Sequence, residues 1–146
     1  MQYSFKNMMD IGGILIGNDK PCYIIAEIGI NHNGDIALAK KLIDVAINAG
    51  ANAVKFQKRN LESIYQQKIL ENPSLDSQGT EILIDVLNNV EFGEDDFQEI
   101  VNYCKEKKIT FLCTPWDIPS VDFLEKLGVP AYKIASADLT NFPLIA

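Results

Sequence analysis

The chain has 146 residues, of which 47% are hydrophobic and 23% charged, and its formal net charge is −7 at pH 7. This composition is typical of a globular protein with its own core, and the acidic balance repels nucleic acid and anionic lipid surfaces. Because the sequence shows neither an apolar leader after Met1 nor a run of about 20 apolar residues, we expect a cytoplasmic protein without nucleic-acid or membrane partners.

The three cysteines, Cys22, Cys104 and Cys113, lie within or beside apolar runs of the sequence. They lack the CxxC spacing that zinc and redox sites use, and their number is odd. We therefore expect three reduced cysteines that pack in the core.

Residues 1–20 are predicted to form a short hairpin or cap, because small apolar runs in 11–16 are separated by glycine and end at an Asn-Asp turn. Residues 21–146 contain no linker, repeat or low-complexity tract, so we expect them to form one unit. Within that unit, short apolar runs alternate with amphipathic stretches of helical period.

This alternation predicts an α/β fold. Short, doubly buried strands with helices between them are typical of a parallel sheet with right-handed crossovers. A doubly wound sheet and a (β/α)8 barrel both fit, and both place functional groups at the carboxyl ends of the strands. The connection over 58–92 is too long for a plain loop, which indicates a functional lid or local structure. The predicted strands are 22–28, 51–57, 109–113 and 131–135, and the predicted helices are 35–49, 80–89, 94–108 and 120–127, with another opening at 141–143.

Polar side chains stand at the end of each predicted strand. Any one of them has a structural explanation, since a lone lysine snorkels to solvent and a lone glutamate pairs with a neighbouring lysine. Four strand ends in a parallel sheet converge on one cleft, however, and lysines with amide and hydroxyl donors there predict a site for phosphate or carboxylate. The candidate residues are Glu27 on the first strand, Lys55 and Gln57 on the second, Thr114 on the third, and Lys133 and Ser136 on the fourth.

Several neighbouring residues leave alternatives open. Lys133 also fits the role of a Schiff-base nucleophile, as in class I aldolases. His32, the only histidine, is predicted to belong to a turn and helix cap rather than to a metal site. Lys58 and Arg59 either reach a substrate anion or are solvated charges at the rim, and the pattern favours solvated charges.

Five motifs, in the same order and spacing, resemble those of the sialic acid synthase family. This family includes the N-acetylneuraminate, legionaminic, pseudaminic and spore-coat polysaccharide synthases. The resemblance covers nearly the whole chain and corresponds to the N-terminal part of those proteins. The motifs are IAEIGINHNG at 25–34, VKFQK at 54–58, CTPWD at 113–117, YKIAS at 132–136 and TNFPL at 140–144.

The resemblance implies the N-terminal half of a (β/α)8 TIM barrel over 21–146. It implies condensation of phosphoenolpyruvate with the open-chain aldehyde of an N-acetylated amino sugar, such as N-acetylmannosamine, to give a nonulosonic acid and phosphate. The complete enzyme is expected to be a homodimer that uses a divalent metal, Mn²⁺ or Mg²⁺, whose ligands come from later strands.

The same resemblance implies a role for each candidate residue. Lys55 and Lys133 would hold the phosphate and carboxylate of phosphoenolpyruvate, and in this interpretation no Schiff base forms. Glu27 would contact the aldehyde end of the sugar. Thr114 and Ser136 would add hydrogen bonds to phosphoenolpyruvate, and Gln57 would lie near the metal and the sugar.

The chain departs from the family pattern in two ways. A TIM barrel takes about 250 residues, so we expect this segment alone to be catalytically silent, either as a fragment or as a half-barrel that assembles with another chain. In the long connection, Gln78-Gly79 and the aliphatic Leu83 and Leu87 stand where relatives carry aromatic and charged groups. This difference bears on the choice of sugar.

Overall fold

The computed structural model describes residues 8–75 and 80–146. Expectations about 1–7, and about Gln78 and Gly79, lie outside the described residues. The chain is α/β, as predicted. The strands are β1 (Met8–Ile11), β2 (Ile14–Gly17), β3 (Ile25–Gly29), β4 (Ala53–Lys58) and β5 (Thr110–Pro115). The helices are α1 (Ile36–Asn48), α2 (Leu61–Ile64), α3 (Gln67–Glu71), α4 (Thr80–Val90), α5 (Glu94–Lys107), α6 (Ile118–Leu127) and α7 (Phe142–Ile145).

Strands β1 and β2 pair antiparallel in a hairpin whose turn contains Gly12 and Gly13, both at positive φ. The backbone N–H of Gly13 donates to Asp10 Oδ1 over 2.9 Å, which stabilises the turn. A Cβ at Gly12 would lie 2.7 Å from Thr110 Oγ1, so the turn packs closely against the start of β5. The predicted division of the chain at residue 20 stays a prediction.

The main sheet is parallel, in the order β3-β4-β5. In its register, Glu27 lies opposite Lys55, and Gln57 lies opposite Thr114. Because side chains alternate along a strand, these polar residues share one face of the sheet. The other face packs on α1, α5 and α6 through Val54, Phe56, Phe111, Cys113, Ile43, Phe97, Ile100 and Leu124.

Helices α1, α5 and α6 begin at residues whose side chains stabilise a helix N-terminus. Asp35 caps α1 by accepting the N–H groups of Ala37 and Leu38, and Asp117 caps α6 by accepting that of Ser120. Three acidic residues occupy the first turn of α5, which favours the helix dipole. These caps start α1 and α6 directly beside the carboxyl ends of β3 and β5.

The prediction of a strand over 131–135 is wrong. Only an isolated bridge joins Tyr132 to Cys113, with the Lys133 N–H donating to the Cys113 carbonyl over 3.4 Å. Pro130 has no N–H to extend the ladder, and β5 is the only described strand beside this segment. The segment then turns into a 3-10 helix at Ser136–Asp138.

The long connection after β4 contains more structure than predicted. Helix α4 matches the prediction at 80–89, but α2, α3 and a 3-10 turn at Pro73–Leu75 were not predicted. Asn60 caps α2 by accepting the Ser63 N–H. No helix in the described ranges is both long and apolar enough to cross a membrane.

Candidate functional site

A buried cation lies at the centre of the polar face of the sheet. The Lys55 Nζ is 2.5 Å from Glu27 Oε2 and donates to Thr114 Oγ1 over 3.1 Å. The Lys55 side chain is only 8% exposed, whereas that of Glu27 is 52% exposed. Three adjacent strands therefore contribute to one hydrogen-bonded group whose acidic end is open to solvent, whereas the strand-end pattern predicts contributions from four.

Gly29 lets Gln57 approach this group. The pairing of β3 with β4 shifts between Glu27 and Gly29, and Gly29 has a φ of +56°. A Cβ at Gly29 would lie 3.1 Å from Glu27 Oε1 and 3.2 Å from Gln57 Nε2. The missing side chain leaves room for the ends of Glu27 and Gln57 to converge.

The Arg59 side chain contacts Gln57, a role that the sequence analysis did not predict for it. Its side chain is buried, its Nη2 donates to Gln57 Oε1, and its guanidinium lies 4.4 Å from the ring centroid of Trp116. Burial lowers the pKa of Arg59, while the nearby charges of Glu91 and other groups act in the opposite direction. The prediction of a solvated rim charge is wrong for Arg59. Its place two residues after Gln57, as the only arginine in the chain, was the available sequence signal.

Lys58 is partly buried rather than fully solvated, and it clamps the two ends of the long connection together. Its Nζ donates to Glu91 Oε1 over 3.0 Å and to the Phe92 carbonyl over 3.2 Å. The Arg59 backbone N–H donates to the same Glu91 oxygen over 3.0 Å. Glu91 is 33 residues from Lys58 in the sequence, so no local pattern indicated this contact.

His32 is buried in the turn beside the site, as predicted. Its Nδ1 accepts the Gly34 N–H over 3.2 Å, and its ring stacks on Phe92 with centroids 3.9 Å apart. Burial lowers the pKa of His32, which favours the neutral ring. The helix cap that was predicted here is made by Asp35. Among the described residues, no group of three His, Cys, Asp or Glu side chains could hold a metal ion.

Lys133 and Ser136 are not joined to the Glu27–Lys55–Thr114 group by any hydrogen bond or ion pair among the described residues. Both are exposed. Lys133 instead lines a separate, mainly apolar cavity of about 350 Å³ with Ile134 and Leu144. The structure therefore brings together four of the six candidate residues, and the missing fourth strand accounts for the other two.

The cysteines divide into two classes. Cys104 and Cys113 are buried and free, as expected, and burial raises the pKa of the Cys104 thiol to about 12 and that of Cys113 still further above its usual range. Cys22 is free but exposed, so the prediction of core packing is wrong for it. Cys22 precedes β3 in the sequence and is therefore not part of the sheet on which the helices pack.

Comparison with known proteins identifies a family. The sequence profile of the NeuB family matches residues 42–146. The chain is 41% identical over 135 residues to N-acetylneuraminate-9-phosphate synthase of Mus musculus, covering 91% of this chain and 37% of that protein. It is 38% identical over 128 residues to N,N'-diacetyllegionaminic acid synthase of Campylobacter jejuni, covering 86% of this chain and 38% of that protein.

A solved structure agrees with the sequence matches. The N-acetylneuraminic acid (sialic acid) synthetase of Leptospira borgpetersenii superposes with a TM-score of 0.81 at 36% identity, covering 94% of this chain and 44% of that one. The chain spans a little over a third of the length of the curated relatives described above.

Proposed function

The chain belongs to the NeuB family of sialic acid synthases, and from this we propose that it supplies part of the active site of an enzyme that condenses phosphoenolpyruvate with an N-acetylated amino-sugar aldehyde. The products would be a nonulosonic acid and phosphate. The single observation that carries the proposal is the buried Lys55, held between Glu27 and Thr114 at the carboxyl ends of three parallel strands.

Lys55 is suited to bind an anion at this place. An ammonium group has three N–H donors, and Glu27 and Thr114 accept two of them. The third remains for a phosphate or carboxylate oxygen of phosphoenolpyruvate, and a charge-assisted bond in a largely buried site is stronger than one in water. We infer that Lys55 orients phosphoenolpyruvate and that Thr114 adds a hydroxyl contact.

Glu27 faces the second substrate in this proposal. Its carboxylate is the solvent-open end of the group, and Gln57 Nε2 lies beside it across Gly29. Attack of the phosphoenolpyruvate methylene carbon on the aldehyde carbon turns the aldehyde oxygen into an alkoxide, which must gain a proton. The same step leaves an oxocarbenium ion at C2 of phosphoenolpyruvate, to which water adds with loss of a proton, and the resulting hemiketal phosphate then releases phosphate to give the 2-keto acid. Glu27 and Gln57 are placed to contact that end of the sugar and to orient it for the attack.

The chain is proposed to form the first half of a (β/α)8 barrel. The sheet has three parallel strands, and among the described residues no strand pairs with the outer edge of β3 and only the Tyr132 bridge touches that of β5. Pairing of 131–135 along β5 in a complete barrel would carry Lys133 and Ser136 to the same rim, where they would complete the phosphoenolpyruvate site. Lys133 is exposed here and lacks the desolvation that a Schiff-base lysine needs.

The divalent metal expected from the resemblance does not fit the described residues, because they contain no cluster of suitable ligands. Its ligands would come from residues beyond those of this chain. A homodimeric, cytoplasmic enzyme is the corresponding proposal for the complete protein.

A chimera tests the function. Residues 8–146 would replace the matching segment of the Campylobacter jejuni relative, and phosphate release would be assayed with phosphoenolpyruvate, Mn²⁺ and an N-acetylated amino sugar. We expect turnover in the chimera and its loss in Lys55→Met. Lys41→Met, which removes an exposed lysine of α1, is the matched control and keeps activity.

Two outcomes would overturn parts of this proposal. A folded chimera without turnover, or one in which Lys55→Met is as active as Lys41→Met, would refute the assigned role. The unfused chain, assayed in parallel, is expected to release no phosphate, and clear turnover would show that the segment is active without further strands.

A further inference from the structure

Arg59 is buried at a cost that its contacts do not explain as stabilisation. The side chain is 8% exposed, and its Nη1 is buried without a hydrogen-bond partner. Within the described ranges, none of the ion pairs involves its guanidinium. Its one side-chain hydrogen bond to another described residue goes to the neutral amide of Gln57. A buried cation without an ion pair is expensive, and the hydrogen bond to Gln57 indicates where Arg59 acts.

The contact fixes which end of the Gln57 amide faces the site. A guanidinium has donors only, so the Gln57 group that meets Arg59 must be the oxygen. The Gln57 NH₂ group then points the other way, to within 3.2 Å of where a Gly29 Cβ would lie and beside Glu27 Oε1. Without Arg59, both orientations of the amide would be available, and either the oxygen or the NH₂ group could face Glu27.

We propose that Arg59 is a positioning residue that locks Gln57 as a hydrogen-bond donor toward the Glu27 end of the site. The cation–π contact with the Trp116 ring, 4.4 Å from the guanidinium carbon to the ring centroid, helps to hold the Arg59 side chain in place. The ligand group that meets Gln57 must then be an acceptor oxygen. That this oxygen belongs to the amino sugar rests on the proposed function, whereas the polarity of Gln57 does not.

NMR of the uniformly ¹⁵N-labelled chain tests the lock without any substrate. The Gln57 side-chain amide signals are assigned by their loss in Gln57→Met. In Arg59→Met we expect these amide protons to exchange with water at least about tenfold faster, because the bond to Gln57 Oε1 no longer holds the NH₂ group in its crowded position against Gly29. A tenfold change corresponds to ~1.4 kcal/mol, near the lower end of the range for a bond to a charged group. Gln98, whose Nε2 donates to Asn102 on α5, serves as an internal reference and should not change.

A matched variant separates the lock from a general loss of charge. Lys41→Met removes one exposed positive charge and should leave the exchange of Gln57 unchanged. If Arg59→Met stays folded and the Gln57 amide exchanges at the wild-type rate, the proposal is wrong. Its failure would leave the chimera experiment, and with it the proposed function, unaffected.

The wild-type chain provides a second measurement in case Arg59→Met does not fold. Because Arg59 is the only arginine, its guanidinium signals need no further assignment. We expect separate Nη signals, since the bond to Gln57 hinders rotation of the guanidinium, and their merging in Gln57→Met. Merged, averaged Nη signals in the wild-type chain would overturn the proposal.

Discussion

The Glu27–Lys55 pair joins two side chains that differ greatly in exposure. Lys55 is buried, and Glu27 is half open to solvent. Glu27→Gln keeps an oxygen acceptor for Lys55 and removes only the charge, so we expect a loss of about 1–2 kcal/mol in the free energy of unfolding. In the chimera, the same change should lower turnover about 100-fold, as for loss of a group that orients the reacting aldehyde.

Urea unfolding and phosphate release measure the two effects of Glu27→Gln separately. Lys55→Met serves as a comparison in the stability measurement. It leaves the Glu27 carboxylate, which is half exposed and can be hydrated, so this variant contains no buried unpaired charge. A large loss of stability in Glu27→Gln with retained turnover would show that the pair is only a structural ion pair.

His32 makes the stability of the fold depend on pH. Burial lowers its pKa in the folded chain below the unfolded value of about 6.5. Its contribution to stability is therefore complete above pH 6.5 and is lost as the pH falls through the folded pKa, because the unfolded chain then binds the extra proton. For one such group the slope is at most about 1.4 kcal/mol per pH unit.

Comparison with His32→Phe isolates this effect from the carboxylates. Phenylalanine keeps an aromatic ring for stacking on Phe92 but cannot be protonated. The quantity of interest is the unfolding free energy of the wild type minus that of the variant, measured by urea unfolding at each pH. We expect this quantity to decrease as the pH is lowered from 7.5 to 5, because only the wild type loses stability through His32. A constant difference across this range would contradict the prediction.

Among the elements, the turn before α1 and the end of α4 meet at Gly34. A Cβ there would lie 2.5 Å from the Asn89 carbonyl oxygen, and Gly34 has a φ of +74°. Gly50, with a φ of +80°, has nothing within 4 Å of the same position. Both Gly→Ala changes carry the backbone penalty of about 1–2 kcal/mol, but only Gly34→Ala must also push two elements apart.

We therefore expect Gly34→Ala to destabilise the chain clearly more than Gly50→Ala, as measured by thermal or urea unfolding. Hydrogen exchange should show that the additional loss includes faster exchange in α4. Equal losses for the two variants would mean that the turn and α4 move apart without cost.

The Lys58–Glu91 clamp holds together the two ends of the connection between β4 and α5. Glu91→Ala leaves the partly buried Lys58 ammonium with two backbone carbonyls as its remaining acceptors. Breaking a buried ion pair costs about 3–5 kcal/mol, and we expect a loss at or below the lower end of that range because the pair is only partly buried and those carbonyls remain. The connection over 59–92 should also become sensitive to proteolysis, whereas Glu99→Ala, which breaks the more exposed pair with Lys40, should leave it resistant.

At the scale of the whole molecule, local sequence patterns predicted the helices and strands that depend mainly on residues close together in the chain. The apolar period, the acidic first turn of α5 and the glycine stops predicted the main helices and three strands to within a few residues. The burial of Lys58 and Arg59 depends on Glu91 and Trp116, which are distant in the sequence, so the local pattern wrongly indicated solvated charges. The strand at 131–135 failed for a related reason, since pairing depends on neighbours and not on its own residues.

The exposed apolar side chains of the C-terminal segment give the last prediction. Ile134, Leu139 and Phe142 are 44%, 65% and 73% exposed and belong to the segment that follows the Tyr132–Cys113 bridge at the edge of β5. Such surfaces and open strand edges favour association between copies of the chain. The net charge of −7 opposes it, so association should increase when salt screens that repulsion.

Sedimentation velocity over a series of protein and salt concentrations measures this balance. We expect Phe142→Asp to weaken association, and Val45→Asp, which changes another exposed apolar residue (63%) on α1, to weaken it much less, although both variants add the same charge. The pair thus separates a local apolar contact from net charge. A chain that remains monomeric at high protein and salt concentrations would show that these side chains do not drive association, and that the sheet edges are protected by the segments that flank them.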